Sequence, residues 1–278
     1  MSEIIKGKDF ENKVKEILKD GAKQLHVVAD FDRTLTGAFA DGMKFKSTYS
    51  YIREGGYLGK EFSKKSFELF DEYYPYESST ELVLEEKKKK MQEWWEKHFK
   101  LMVDCDMNIN VIKEVIKDNN IKGRKGFKDF LEFLNEKNIP LLIFSAGLGD
   151  MIVEFLKTEN HNDKNIHIIA NFFKFDKEGK AFGHKGEIIH MFSKKEYKIE
   201  GHDYEKEIKD RKNVILLGDS IGDAGMADGM KHDLVLKIGF LNEDVEKQKE
   251  EYLKYYDLLI LNDGTMEEIN TILKRLNL

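Results

Sequence analysis

The sequence predicts an α/β fold, a doubly wound and mostly parallel sheet with a helical insertion near its start. Three observations predict it. From residue 127 onward, short apolar runs alternate with amphipathic helical stretches, which is the pattern of strand–helix–strand units. The apolar segment Leu25–Ala29 runs straight into Asp30, Phe31, Asp32, Arg33 and Thr34. Acidic residues at the end of a buried strand mark the edge where open α/β sheets bind ligands. Between Thr34 and residue 139 no apolar strand run appears, and helical spacing with aromatic stripes replaces it.

Residues 8–19 are predicted helical because Phe10, Val14, Ile17 and Leu18 share one face, with Gly21 as the stop. In the strand that follows, the period of two sends Asp30 and Asp32 to the same side, so that both carboxylates can converge on one reacting group. Within the insertion, Phe67, Phe70 and Tyr74 share a helical face, and Met91, Trp95, His98 and Met102 share another. Pro75 is predicted to end the first of these helices and the lysines at 87–90 to interrupt the second as a solvated face. Residues 108–118 read as a further helix, and GRKG at 123–126 leads back to the core.

The α/β alternation then resumes. FKDFLEFLNEK, from residue 127, is an amphipathic helix; 139–144 is a strand ending at Ser145, Ala146 and Gly147; 148–157 is helical. Strands follow at 166–170 and 213–217, separated by a hairpin that turns at Glu178 and Gly179. The second of these strands ends in GDSIGD, residues 218–223. Residues 235–238 and Leu258–Leu261 add two strands, each followed by a helix, and Thr265 with Glu268 is read as a capping box. The expected division is a catalytic core of residues 1–35 and 123–278 with a helical cap of residues 36–122.

Composition narrows the class. Charged residues make up 35% of the 278, but 41% are hydrophobic and 12% aromatic, so a folded core is expected. The net charge of −6 offers no basic footprint for a nucleic-acid polymer, and any nucleotide partner should be a small one. Cys105 is the only cysteine, which excludes an intrachain disulfide or a thiolate metal cluster. No secretory leader or membrane-spanning run is read in the sequence. A cytoplasmic, soluble protein that works as a monomer, with no membrane partner, is expected.

Asp30, Asp32, Ser145 and Asp219 all fall at carboxyl ends of predicted strands, and right-handed crossovers bring those ends to one edge. Four carboxylates there, Asp30, Asp32, Asp219 and Asp223, would repel one another without a cation. Mg²⁺ suits such oxygen ligands, and it commonly shares them with a substrate's phosphate oxygens. The hydroxyls of Thr34 and Ser145 add donors. A lysine from the stretch before residue 213, where Lys185, Lys194 and Lys195 are candidates, would complete a phosphoryl site.

DFDRT at 30–34, the strand ending at Ser145, a later lysine and GDSIGD at 218–223 resemble the four motifs of the haloacid dehalogenase superfamily of aspartate-nucleophile phosphatases, which are Rossmann-like. FSAGLGD at 144–150, KGEIIH at 185–190, LLGDSIGDAGMADG at 216–229 and LKIGFLN at 236–242 are similar to the cytosolic 5′-nucleotidase III (pyrimidine 5′-nucleotidase) family, which also has a small helical cap after the first motif. The resemblance implies a Mg²⁺-dependent 5′-nucleotidase acting on nucleoside 5′-monophosphates. It makes Asp30 the nucleophile and Asp32 the general acid and base, with the Asp32 carbonyl also on the metal. Asp30 and Asp219 would hold the metal, with Asp223 more peripheral. Thr34, Ser145, Gly147 and Lys194 would hold the phosphate, and Ser50, Glu77, Trp95 and His98 the nucleoside. Simpler readings stand beside these: a solvated Lys194, Ser145 as a helix cap, and Trp95 with His98 as cap core.

Trp95 replaces the family's more usual tyrosine, and His98 a smaller hydroxyl residue. A branch acting on 7-methylguanosine monophosphate is similar in carrying tryptophan there, which sets that nucleotide beside CMP and UMP. The alternatives are a related phosphatase of amino-acid or sugar phosphates and a catalytically silent nucleotide-binding protein.

Overall fold

The computed structural model of the chain describes residues 2–40, 43–79, 81–119, 121–194, 201, 203–228 and 232–277. Its centre is a seven-stranded sheet built from β1 (Ile4–Lys6), β2 (Leu25–Ala29), β5 (Leu141–Leu148), β6 (Ile166–Asn171), β9 (Asn213–Gly218), β10 (Leu234–Leu241) and β11 (Leu258–Leu261). The order is β1-β11-β10-β9-β2-β5-β6, parallel throughout except for β1, which pairs antiparallel with β11. Buried strands at the sheet centre read as unbroken apolar runs, as LHVVA and NVILLG do. β1 escapes sequence reading because its three residues, IIK, carry no period.

Helices α1 (Phe10–Asp20), α6 (Phe127–Glu136), α7 (Gly149–Thr158), α8 (Asp203–Ile208), α9 (Val245–Tyr252) and α10 (Glu267–Lys274) complete the α/β layers. Two separate apolar clusters, one containing Val27, Leu141 and Ile215 and the other Val28, Leu142 and Leu216, lie on alternating residues of the central strands. The sheet is therefore covered on both faces, as a doubly wound fold requires. β2 sits between β9 and β5, so the residues following these three strands meet at one edge. β5 runs longer than predicted, through Ser145, Ala146 and Gly147, with a register shift between Phe144 and Leu148 that bends it over that edge.

The insertion carries a short hairpin, β3 (Phe39–Ala40) with β4 (Met43–Lys44), then α2 (Thr48–Gly55), α3 (Gly59–Ser78), α4 (Leu84–Asp104) and α5 (Ile109–Asn119). Its two connectors run antiparallel: Thr36 bridges Gly123, and Arg124 N donates to Leu35 O at 2.8 Å. The second predicted hairpin is present as β7 (Phe173–Phe175) and β8 (Ala181–His184), and Gly179, at φ +81°, serves its turn.

Four local expectations are corrected. Pro75 lies inside α3 and does not end it; the residue is exposed near the helix end, where water can satisfy the carbonyl left without its N–H. α4 runs unbroken through the lysines at 87–90, which are good helix formers and gain i,i+3 ion pairs, Lys88 with Glu85 at 2.6 Å and Lys90 with Glu93 at 3.4 Å. The buried face of α3 is Phe62, Ser66 and Tyr73, while Phe67 and Tyr74 are exposed. Thr265 and Glu268 form no capping box: the N-cap of α10 is Met266, and Thr265 N donates to Ser2 Oγ at 2.7 Å instead.

Phe99 of α4 is buried and packs edge-on to Phe173 of the β7–β8 hairpin, ring centroids 4.9 Å apart, joining the insertion to the rest. Phe99→Ala is expected to lower the unfolding free energy by about 3–5 kcal/mol in denaturant titration, as core aromatic truncations do; a loss under about 1 kcal/mol would mean that the contact is peripheral.

Candidate active site

At the end of β2 the Asp30 N–H donates to Leu217 O at 3.0 Å, which ties this position to β9. The chain then winds one wide turn, closed by Thr36 N donating to Phe31 O at 3.1 Å. Inside it Arg33 takes a left-handed conformation, φ +60° and ψ 12°. After β9 a short turn, Ile221–Gly225, brings Asp223 back under the strand end, where its Oδ2 accepts from Asp219 N at 3.3 Å, Ser220 N at 3.0 Å and Ser220 Oγ at 2.8 Å. The ammonium of Lys194 donates to Asp30 and, at 2.8 Å, to Asp223, and all three side chains are buried. Carboxylate oxygens of Asp30, Asp219 and Asp223 lie within 4.8 Å of one another. The turn after β9 folds Asp223, which the resemblance makes the more peripheral metal ligand, inward into this group.

Asp30 and Asp32 reach the same cavity, but not through the period of two expected of an extended chain. The chain leaves the extended state at Phe31, so the period of two lapses, and the Asp32 carboxylate stands outside the three-carboxylate group. It accepts instead from Thr48 N at 3.1 and 3.2 Å and from Thr48 Oγ1 at 3.2 Å, at the start of α2. Thr48 Oγ1 also accepts from Leu148 N at 3.0 Å. A Cβ on Gly147 would lie 2.3 Å from Thr48 Oγ1 and 3.0 Å from Asp32 Oδ2, so only glycine fits beside this carboxylate. Ser145 is buried, with its Oγ accepting from Gly147 N at 3.0 Å; it sits within the bent part of β5 and caps no helix.

These groups form one end of a cavity of about 370 Å³. Asp30, Asp32, Ser145, Gly147, Lys194, Asp219 and Asp223 all line it, and Ser50, Glu77, Trp95 and His98 line it from the insertion, so the structure gathers the sequence-predicted residues with one exception. Thr34 is wholly buried outside the lining, and its hydroxyl has no hydrogen-bond partner among the described residues. The wide turn points it into the protein, which corrects its assignment to phosphate. Lys185 is exposed beside the Phe172 ring, 5.6 Å from its centroid, and Lys195 lies outside the described residues.

Trp95 is partly exposed at the cavity, edge-on to Tyr49 at 5.7 Å, while the neighbouring Trp94 is buried and stacks on Tyr73 at 6.0 Å. His98 is buried, its Nδ1 paired with the Tyr49 hydroxyl. Cap-core packing therefore describes His98 and Trp94 better than Trp95. The Nε1 of Trp94 and Nε2 of His98 have no hydrogen-bond partner among the described residues. Sequence reasoning missed Thr48, Tyr49, Arg53, Phe70 and Trp94. Arg53 packs its guanidinium over the Phe70 ring at 4.7 Å. The signals that could have found some of these are Ser47, whose hydroxyl accepts from Ser50 N as the N-cap of α2, and the Tyr49, Ser50, Arg53 spacing on that helix.

Burial dominates the electrostatics. It raises the Asp30 carboxyl well above 3.8, against the pull of Lys194. It raises Asp32 to about 6, against the Thr48 bonds. Asp219 goes to about 7, first by burial and then by the charge of Asp223. Burial alone would depress Lys194, but Asp223 and Asp30 outweigh it and raise its pKa, which keeps the ammonium charged. Burial lowers His98 to about 3, so its imidazole is neutral. Three carboxylates set against this ammonium, with the Arg33 guanidinium 3.8 Å from Asp219, leave a deficit of positive charge that a divalent cation would fill.

Comparison with known proteins shows the family and the fold. The family model described as pyrimidine 5′-nucleotidase (UMPH-1) matches residues 33–277. The 7-methylguanosine phosphate-specific 5′-nucleotidase of Homo sapiens is 36% identical over 259 residues, which cover 93% of this chain and 86% of that protein. Among solved structures, cytosolic 5′-nucleotidase IIIB bound to cytidine superimposes with a TM-score of 0.90 at 29% identity, covering 99% of this chain and 93% of the other. A phospho-aspartyl intermediate analogue of phosphoserine phosphatase, with a TM-score of 0.52 and 19% identity over 89% of this chain and 97% of that one, shares the fold.

Asp32 and Asp219 bind their protons more tightly in the folded chain than at the ordinary value of 3.8. The folded state therefore holds more protons in the window up to about 6 for Asp32 and about 7 for Asp219, and stability falls as pH rises through that window. Each group contributes a slope of at most about 1.4 kcal/mol per pH unit. Denaturant titrations in EDTA between pH 5 and 8 are expected to show this decline, and Asp219→Asn to flatten it; an unchanged slope in the variant would contradict the assignment.

Proposed function

The chain belongs to the pyrimidine 5′-nucleotidase family, and from that premise we propose that it hydrolyses nucleoside 5′-monophosphates to nucleoside and phosphate through a phosphoaspartate at Asp30. The observation that carries this reading is the buried Asp30–Lys194–Asp223 group at one end of a cavity whose other end is aromatic. One end suits a phosphoryl group and the other a base.

Asp30 attacks phosphorus, and the bond from phosphorus to the ribose oxygen breaks as Asp32 gives that oxygen its proton. A pKa raised to about 6 suits Asp32 to a group that must be protonated in the first step and ionised in the second. As a carboxylate it then takes a proton from the water that attacks the phosphorus of the aspartyl phosphate, and release of phosphate restores Asp30. Lys194 orients Asp30 and offers positive charge to the phosphate oxygens, while Ser145 Oγ, which accepts from the Gly147 N–H, can donate its own proton to them. Asp30, Asp219 and Asp223, with the Asp32 carbonyl, fit Mg²⁺, which would supply the missing positive charge against the phosphoryl oxygens. We assign residues 36–122 as a cap domain over a core of 1–35 and 123–278. Among the described residues no helix is long and apolar enough to cross a membrane; a cytosolic, monomeric enzyme is our reading.

For the base, Glu77 lines the cavity, where burial raises its carboxyl against the pull of Lys87, and Trp95 presents an indole face. A bound base would also offer partners to Trp94 Nε1 and His98 Nε2. 7-Methylguanine carries a positive charge, and tryptophan is the strongest cation–π partner among side chains. The relatives named for 7-methylguanosine phosphate and the structure holding cytidine support both kinds of base.

In a panel of nucleotides and phosphoserine, phosphate release is expected from the nucleoside monophosphates with Mg²⁺, to be abolished by EDTA and by Asp30→Asn. Equal rates in EDTA would refute the metal, near wild-type activity of the variant the covalent route, and a preference for phosphoserine the nucleotide reading. Among bases, 7-methyl-GMP, CMP and UMP are expected to exceed GMP and AMP in kcat/KM. Trp95→Leu should cut the advantage of 7-methyl-GMP over GMP by roughly two- to thirtyfold, the worth of about 0.5–2 kcal/mol of cation–π stacking. If that advantage is absent or survives in the variant, indole stacking is not the cause.

A further inference from the structure

Arg124 arrives on the connector that returns the chain from the helical insertion, and its side chain is buried against the Phe240 ring, 4.0 Å from the centroid. Every N–H of its guanidinium has an acceptor. Nε donates to Thr34 O at 2.8 Å; Nη1 donates to Asp263 Oδ1 at 2.9 Å and to Gly264 O at 2.7 Å; Nη2 donates to Arg33 O and to Asn242 Oδ1 at 3.1 Å. Asp263 in turn accepts from Ala38 N at 2.7 Å and Phe39 N at 3.0 Å, where the chain enters the insertion. One planar cation thus joins the wide turn after Asp30, both connectors and the ends of β10 and β11.

The turn needs such a hold. Arg33 sits at φ +60° without being glycine, a conformation that persists only where its surroundings over-determine it. They do so here: the Arg33 carbonyl accepts from Arg124 and also from Asn242 Nδ2 at 3.0 Å, and the Arg33 N–H donates to Thr36 Oγ1 at 2.8 Å. Arg124 and Asn242 thus fix the Arg33–Thr34 peptide and Thr36 the Asp32–Arg33 peptide, so Arg33, the residue after Asp32, is held on both sides. Relaxation at Arg33 would swing Asp32 off Thr48 while leaving Asp30, held by Leu217 and Lys194, in place.

We propose that Arg124 is a positioning residue: by pinning the Arg33 and Thr34 carbonyls it aims the Asp32 carboxyl at the ester oxygen that leaves. The proposal rests on the nucleotidase mechanism above and adds to it a residue that touches no substrate.

The test uses leaving groups. Ribose oxygen needs the proton of Asp32 as its bond to phosphorus breaks, whereas p-nitrophenolate departs without one. kcat/KM reports only the steps through the first irreversible one, so the later hydrolysis of the phosphoaspartate does not enter. In Arg124→Lys, which keeps the charge and loses the fork, kcat/KM for CMP is expected to fall roughly 100-fold, the scale of a misplaced general acid. For p-nitrophenyl phosphate the fall should stay under about fivefold, since it forgoes that acid. Asn242→Ala, which removes the second donor to Arg33 O, should show the same split at about tenfold, being one of two donors; it decides the matter alone if Arg124→Lys does not fold. Equal losses on both esters, or no loss on CMP in a folded variant, would overturn the proposal. Wild-type turnover of CMP is measured first: its absence would refute the nucleotidase reading, and the split would then be read on another alkyl phosphate ester.

Discussion

The site depends on the buried Lys194 ammonium between Asp30 and Asp223. A buried carboxylate without a partner costs several kcal/mol, and so does a buried ammonium. These three side chains can be enclosed only if the chain brings them together from the end of β2, from the turn after β9 and from the segment following the second hairpin. The strand order satisfies that demand, since β2 and β9 are neighbours and their ends share an edge. The same arrangement leaves Asp219 beside the pair with its carboxyl raised to about 7, so the fold concentrates negative charge where positive charge will later be needed. A phosphoryl site arises from that concentration once a cation shares it.

The second carboxylate of the first motif answers to a different part of the chain. Asp32 is held by Thr48 at the first turn of α2, and Thr48 is held by Leu148 where β5 has bent over the sheet edge. The proposed acid–base group and the helical insertion are therefore joined at one threonine, while Gly147 leaves the room for the junction. The proposed nucleophile and the proposed acid thus have separate supports. One belongs to the sheet and its ion pairs, the other to the boundary between sheet and helical insertion.

Much of this was legible in the sequence, for identifiable reasons. LHVVA followed by DFDRT marked strand and site together, because an unbroken apolar run and an abrupt acidic end are local signals. The order of GDSIGD and Ser145 after their own strands placed the edge. Lys194 required the family resemblance, since a lysine in a charged segment has no local mark that separates it from Lys185. What was not legible is tertiary. The aim of Asp32 depends on Arg33 being left-handed, which arginine does not advertise as glycine would. The contact of Asp223 with Lys194 depends on a turn folding inward, and the burial of Thr34 on a wide turn that no periodicity encodes. On α4, helical spacing found the correct face near Met91, His98 and Met102, but it chose Trp95 where Trp94 is the buried ring, because neighbouring tryptophans both border the stripe.

The covalent step at Asp30 is the claim on which the rest turns, and trapping it is the most direct measurement. Borohydride added during steady-state turnover of CMP reduces an acyl phosphate to the alcohol. Peptide mass spectrometry is expected to find homoserine at position 30, dependent on substrate and absent without it. An unmodified Asp30 under conditions of full turnover, or reduction at Asp32, Asp219 or Asp223 in its place, would contradict the account.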